Sequence, residues 1–358
     1  KPDFNYVSLG ASNTNGFGMR GYISEGDIQN ILIAAINGSN AGNAVKNSLN
    51  VYGYMKSPEG SYPDLIRDHF EKEYDVNLDQ LAISSMRVEE VRILLDDPYM
   101  GDDYSEWRFV GKGKWFESAG KQYISEGQDD PDGEIALNGL RDAYQSKIKN
   151  ADLVTIDIGW NNFGVYISRQ LGESFSGNLP LTTDLSYIFE TEEELEVANE
   201  VKEQIHKYLV DMLGEDNSIV NRVVDVFAYS ILGYIYNFDK VMEKIYTLNP
   251  DADVVVIGIQ NLLHGVVVEI DGNEFPLGDL YGNFVDMANY YASSCSPHND
   301  DYLYVKAGTD EHVSVFLDQM GSYDDVGELN SNVIDCYNFY DDNLFIQLTL
   351  DNEFGNFI

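Results

Sequence analysis

Five short apolar runs punctuate the chain: Asn5–Leu9 (NYVSL), Val76–Ser84 (VNLDQLAIS), Asp152–Ile158 (DLVTIDI), Asp253–Ile259 (DVVVIGI) and Tyr302–Lys306 (YLYVK). Each has the length and composition of one buried strand. Between them lie stretches of helical period. In Tyr62–Tyr74, the residues Leu65, Ile66, His69 and Phe70 fall on one stripe. Helices are likewise predicted at Val88–Leu95, Ile135–Ala151, Thr191–Leu213, Ile219–Leu248 and Leu277–Ser294, with helix-like patterns in 24–50 and Gly164–Leu171. Thr191 and Glu194 have capping-box spacing at the start of their helix, and Pro250 closes the helix that ends at Leu248. Ile270-Asp-Gly-Asn-Glu274 reads as a hairpin turn. Strands alternating with helices argue for parallel βαβ units and a doubly wound sheet, hence an α/β fold.

The 358 residues exceed one compact layer sandwich. A single domain spanning 1–358 is predicted, with insertions at about 98–132, which is rich in Gly, Asp, Tyr and Trp, and at 175–248, a candidate helical cap. The apolar runs are too short to cross a bilayer, so no membrane-spanning segment is expected. The charge is lopsided, with 61 acidic against 22 basic side chains and a formal −39. Such a surface repels nucleic-acid phosphates and anionic lipid headgroups, which disfavours both as partners. Acidic clusters can hold metals, but no calcium loop of the Asp-x-Asp-x-Asp-Gly type and no His-Glu-x-x-His is present, so no metal is assigned. Cys295 and Cys336 fit no zinc pattern. A start at Lys1 without Met or an apolar leader is compatible with a removed signal peptide, and the expectation is a secreted or cell-surface protein.

Ligands of open α/β sheets sit beyond the carboxyl ends of the strands. Gly10-Ala-Ser12-Asn-Thr-Asn-Gly16 follows the first run, Ser84-Ser85-Met-Arg87 the second, Gly159-Trp160-Asn161-Asn162 the third, and Gly308-Thr-Asp310-Glu-His312 the fifth. A serine, an amide and a histidine at strand ends form the inventory of acyl transfer. The serine hydroxyl needs a base for its proton, and the oxyanion needs preorganised donors. Ser12 is the candidate nucleophile and His312 the candidate base. Asn161 Nδ2 and the backbone N–H groups of Ser12 and Ser85 are the candidate oxyanion donors. Trp160 and Asn162 are candidate substrate contacts.

Residues 6–18 (YVSLGASNTNGFG) resemble the first block of the SGNH, or GDSL-type, esterase and lipase family, whose usual form is Gly-Asp-Ser-x-Thr-x-Gly. Ile158-Gly-Trp-Asn-Asn162 resembles its third block, Gly-x-Asn-Asp, with Asn161 in the oxyanion-donor place. The resemblance implies a flavodoxin-like three-layer α/β/α fold with a mostly parallel five-stranded sheet. It also implies a serine esterase without metal or organic cofactor, acting on a small-molecule or carbohydrate ester such as an acetylated sugar. Departures from the pattern are Ala11 for Asp, Asn162 for Asp, and Ser85 where a glycine is usual. The last block is normally Asp-x-x-His; here Asp310-Glu-His312 stands in its place, with Asp310 or Glu311 as the triad acid. His298 is the reserve base, and a true last block beyond Ile358 is the remaining option.

Two other classes fit the same residues. One is a catalytically silent SGNH-like binding domain, which the irregular last block supports. The other is a lipase or lysophospholipase in which 191–213 and 219–248 form a lid, leaving the apolar face of the second helix exposed near the site. Gly16-Phe-Gly-Met-Arg-Gly21 matches a dinucleotide fingerprint, but it begins several residues beyond its strand, where that motif does not bind.

Overall fold

A computed structural model describes residues 1–16, 22, 53–102, 119–164, 166–167, 184–214, 218–259, 261, 267–270, 272–306 and 334–335. Its framework is a sheet of strands β1 (Asp3–Gly10), β2 (Asp75–Gln80), β3 (Leu153–Asp157), β4 (Asp253–Ile257), β7 (Leu303–Lys306) and β8 (Ile334–Asp335). They lie in the order β2-β1-β3-β4-β7-β8, with every neighbouring pair parallel. The five expected strands are all present, and the two-residue β8 extends the edge. The expected turn at 270–274 forms a separate antiparallel hairpin of β5 (Val268–Ile270) and β6 (Asn273–Phe275).

Side-chain alternation splits the sheet into two faces. Phe4 and Tyr6 of β1, Leu153 of β3, Val255 and Ile257 of β4, and Leu303 and Val305 of β7 meet helix α1 (Tyr62–Phe70) on one side. There Phe4 stacks on Phe70 with ring centroids 4.7 Å apart, a contact of the kind that adds about 1 kcal/mol beyond burial alone. Val7, Leu9, Val154, Ile156, Val254 and Val256 point to the opposite side. That side is covered by α2 (Val88–Leu95), α3 (Glu134–Lys149), α6 (Ser218–Leu248) and α7 (Leu277–Tyr290). The result is a three-layer α/β/α sandwich. All five residues of β3 are buried, as a central parallel strand covered on both faces requires.

The long insertions behave differently from each other. α5 (Glu192–Leu213) begins with the expected capping box: Thr191 Oγ1 accepts from the Glu194 amide at 3.2 Å, and the Glu194 carboxylate accepts from the Thr191 amide at 3.1 Å. Only three α5 side chains, Ala198, Ile205 and Leu209, are buried. α6 is instead a core helix, with Val226, Phe227, Tyr229, Ile231, Tyr234 and Phe238 all buried. Its apolar face packs on α2, so an apolar face left open beside the site is not what these residues present. Residues 103–118 of the first insertion lie outside the described residues. No described helix is long and apolar enough to cross a membrane.

Candidate functional site

Because the strands run parallel, Gly10, Gln80, Asp157, Ile257 and Lys306 all end at one edge of the sheet. The chain starts in β1, moves outward to β2, then returns to β3 on β1's other flank. A crevice opens where strand order reverses in this way. Gly10 lies opposite Asp157, so the loops leaving β1 and β3 start side by side.

The loop after β1 turns at once. Gly10 has φ +154°, and a Cβ there would lie 2.0 Å from Thr14 Oγ1 and 2.5 Å from the Asp157 carbonyl oxygen. Only glycine fits this approach. The Asn15 amide then donates to the Ala11 carbonyl at 3.1 Å, closing a turn with Ser12 at its tip. Thr14 is fully buried and its hydroxyl pairs with the Tyr62 hydroxyl at 2.9 Å, which anchors the turn to α1. Ser12 is half-buried between these anchors.

The loop after β2 holds Ser85 at φ +70°. This left-handed conformation costs a non-glycine residue about 1–2 kcal/mol. Ser85 thus holds a backbone conformation that glycine adopts freely. Asn15 Nδ2 donates to Ser84 Oγ at 3.0 Å, tying the Ser12 loop to the Ser85 loop.

The loop after β3 forms a single helical turn, α4 (Trp160–Phe163). Asn161 is 2 % exposed and its Nδ2 donates to the Met86 carbonyl at 2.9 Å, tying this third loop to the second. One of the two Nδ2 hydrogens is thereby fixed. Asn162 is buried with both ends of its amide engaged. Its Oδ1 accepts from the Val88 amide at 3.1 Å and its Nδ2 donates to Glu89 Oε2 at 2.8 Å. The Ser230 hydroxyl of α6 donates to the Asn162 carbonyl at 2.6 Å. Trp160 is half-buried at the same edge, and its Nε1 is buried without a hydrogen-bond partner.

Beneath α4 lies a buried ionic cluster that local sequence patterns gave no sign of. The Arg87 guanidinium donates to both oxygens of Asp102, at 2.8 and 3.0 Å, and to Glu90 Oε1 at 2.7 Å. The Tyr229 hydroxyl donates to Asp102 at 2.7 Å, and the Tyr166 ring lies 4.9 Å from the guanidinium. Glu89 lies in the same cluster with Oε1 3.9 Å from Arg87 and no hydrogen-bond partner. Burial pushes the Glu89 carboxyl up to about 7, against the lowering effect of Arg87.

Of the histidines, His69 is near the end of α1, just before β2, and His298 precedes β7. Both therefore stand at the amino edge of the sheet, opposite Ser12. His298 Nδ1 pairs with Asp301 at 3.1 Å, but this reserve pair cannot reach the serine. His206 is exposed on α5. Asp310, Glu311, His312 and His264 lie outside the described residues, as does most of the dinucleotide-like stretch 16–21.

No protein-family model and no curated protein matches the sequence. Among solved structures, an extracellular lipase from Streptomyces rimosus is similar over 86% of this chain and 80% of its own, at 14% identity and a TM-score of 0.39. A phospholipase A1 from Streptomyces albidoflavus NA297 is similar over 84% of this chain and 78% of its own, at 15% identity and a TM-score of 0.35. Superpositions this loose transfer no residue role or activity to the chain.

Proposed function

We propose that this protein is a serine-nucleophile hydrolase of carboxylic esters. The observation that carries the reading is the joining of three strand-end loops at the carboxyl edge. Asn15 links the Ser12 turn to Ser84, and Asn161 links the β3 turn to Met86. A half-buried hydroxyl and a buried amide donor thus stand on linked loops at one sheet edge, which is where a nucleophile and an oxyanion donor need to be brought together.

In the proposed cycle, Ser12 Oγ attacks the ester carbonyl carbon while His312 takes its proton, with Asp310 orienting the imidazole. The oxyanion is held by Asn161 Nδ2 and the N–H groups of Ser12 and Ser85. Collapse expels the alcohol, which receives the proton from His312. Water, deprotonated by His312, then attacks the acyl carbon, and the acid leaves as Ser12 Oγ takes the proton back from His312. The half-exposed Trp160 beside Asn161 favours a sugar or other flat alcohol part, and short acyl groups are the expected donors.

Intact-mass labelling with a fluorophosphonate tests the reading on the wild type, Ser12→Ala and His312→Ala. One adduct on the wild type, abolished by Ser12→Ala and slowed by His312→Ala, is the expected result. No wild-type adduct, or one that survives Ser12→Ala, refutes it. Turnover of p-nitrophenyl esters of increasing acyl length then separates short-acyl from lipolytic specificity.

A further inference from the structure

The Asn161 turn is held by its own bond to Met86 and also through its neighbour. Asn162 presents its side-chain Oδ1 to the N–H of Val88, the first residue of α2, and its NH2 group to Glu89, the second residue of that helix. An amide bridges this donor–acceptor pair; a carboxylate at 162 would accept from Val88 but set a second acid against Glu89 at 2.8 Å. The chain departs from the SGNH pattern at this residue, carrying Asn where Asp is usual. The buried glutamate supplies a physical reason for the departure.

Glu89 lies directly against the Asn162 amide. Its side chain is 1 % exposed, and Oε2 is used by Asn162. Oε1 has no hydrogen-bond partner and faces α6, where a Cβ built on Gly233 would stand 2.5 Å from it. Arg87 is taken up by Glu90 and Asp102, both of which it binds at hydrogen-bonding distance. The groups that face Glu89 electrostatically are Arg87 and Glu90 from its own segment, Asp102 and Tyr99 from the following loop, and Tyr229 from α6. A buried carboxyl with an idle oxygen is expensive to keep, and here its side-chain hydrogen bond goes to the residue next to Asn161.

We propose that Glu89 is a positioning residue for the oxyanion site, fixing Asn161 through the Asn162 amide. The proposal rests on the reading of Ser12 as nucleophile and Asn161 as oxyanion donor. Its effect is on the transition state, so kcat should fall when the link is broken while KM changes little.

The test measures kcat and KM on a p-nitrophenyl ester, normalised to the sites titrated by fluorophosphonate. Normalisation matters because a merely structural role lowers the labelled fraction and leaves turnover per labelled site unchanged. Glu89→Ala should lower kcat per labelled site about 10- to 100-fold. Glu89→Gln, which can still accept from Asn162, should stay within about threefold of wild type. Asn162→Asp should lose activity like Glu89→Ala, and adding Glu89→Gln to it should restore activity toward wild type, because one acid and one amide again face each other. The double substitution covers the case in which Glu89→Ala does not fold. Unchanged turnover per labelled site in Glu89→Ala, or an additive double variant, overturns the proposal. A wild type that takes no label refutes the nucleophile reading itself, and the positioning role falls with it.

Discussion

Glu89→Gln should make the protein's stability less sensitive to alkali. The buried carboxyl is pushed up to about 7 from an ordinary 4.5. Between those values the folded state holds a proton that the unfolded chain has released. Its contribution to stability is therefore fully present below about 4.5 and is lost as the pH rises through about 7. The separation corresponds to about 3 kcal/mol, at roughly 1.4 kcal/mol per tenfold change in proton affinity. Glutamine has no such titration. It carries a fixed penalty, because its NH2 group occupies the place of Oε1 against Gly233 without an acceptor, of about 1–3 kcal/mol. That penalty is the same at every pH and drops out of the slope. Urea unfolding of both proteins, followed by tryptophan fluorescence at pH 5, 6, 7 and 8, gives the difference directly. The variant should gain about 2–3 kcal/mol on the wild type across this range. Parallel stability curves for the two proteins would show that Glu89 is ionised throughout, and the burial argument would be wrong.

Two further outcomes test the scaffold around the site. Ser85→Val should cost about 2 kcal/mol in denaturant unfolding, because a β-branched residue is poorly tolerated at φ +70°, whereas Ser85→Gly should cost nothing and keep the backbone donor. Equal losses for both would mean that the Ser85 side chain, not its backbone conformation, is what matters. Ile156→Ala, at a fully buried position of the central strand, should cost about 3–4 kcal/mol with an unchanged m-value; a loss below about 1 kcal/mol would contradict the packing of the sheet on its α2–α6 face.

The fold was legible because its signals are local. The capping box at Thr191 marks the start of α5 to the residue, and the helix predicted at 88–95 is α2 with the same bounds. Where expectation and structure part, the cause is burial without regular structure. The second apolar run reaches Ser84, but β2 ends at Gln80, whose side chain turns to donate to the Gly53 carbonyl at 2.9 Å. Leu81, Ala82 and Ile83 are apolar because they lie under the site, and no strand pairing is needed to explain them. The helix predicted to run to Ser294 changes at Tyr291 into a wider turn of the π type. β8 is two residues long and leaves no periodic trace.

The strand-end loops were legible too, since a parallel sheet sends every such loop to one edge, and Ser12, Ser85 and Asn161 fall there. What stood hidden was the layer beneath. The helix predicted at 88–95 carries Glu89, Glu90 and Arg92, yet all eight of its residues are buried. Local partners, Glu90 for Arg87 at 2.7 Å and Asp96 for Arg92 at 3.2 Å, are joined by groups from elsewhere in the chain: Asp102 for Arg87, Asn237 for Arg92 at 3.0 Å, and Asn162 for Glu89. No spacing rule connects residues so distant, and only the folded chain shows the pairing.

The same layer bears on why position 162 carries an amide. Two carboxylates about 4 Å apart repel by about 4 kcal/mol at an effective dielectric constant of 20. An acid at 162 would meet Glu89 at hydrogen-bonding distance, with Arg87 already bound to Glu90 and Asp102. One of the two would have to stay protonated, and the turn carrying Asn161 would then depend on a shared proton for its position. An amide at 162 removes the conflict at no cost in hydrogen bonds, since its oxygen still caps α2 and its NH2 group satisfies the glutamate. Glu89 and Asn162 are therefore a matched pair, and the amide at 162 is what lets a buried acid pack against this turn.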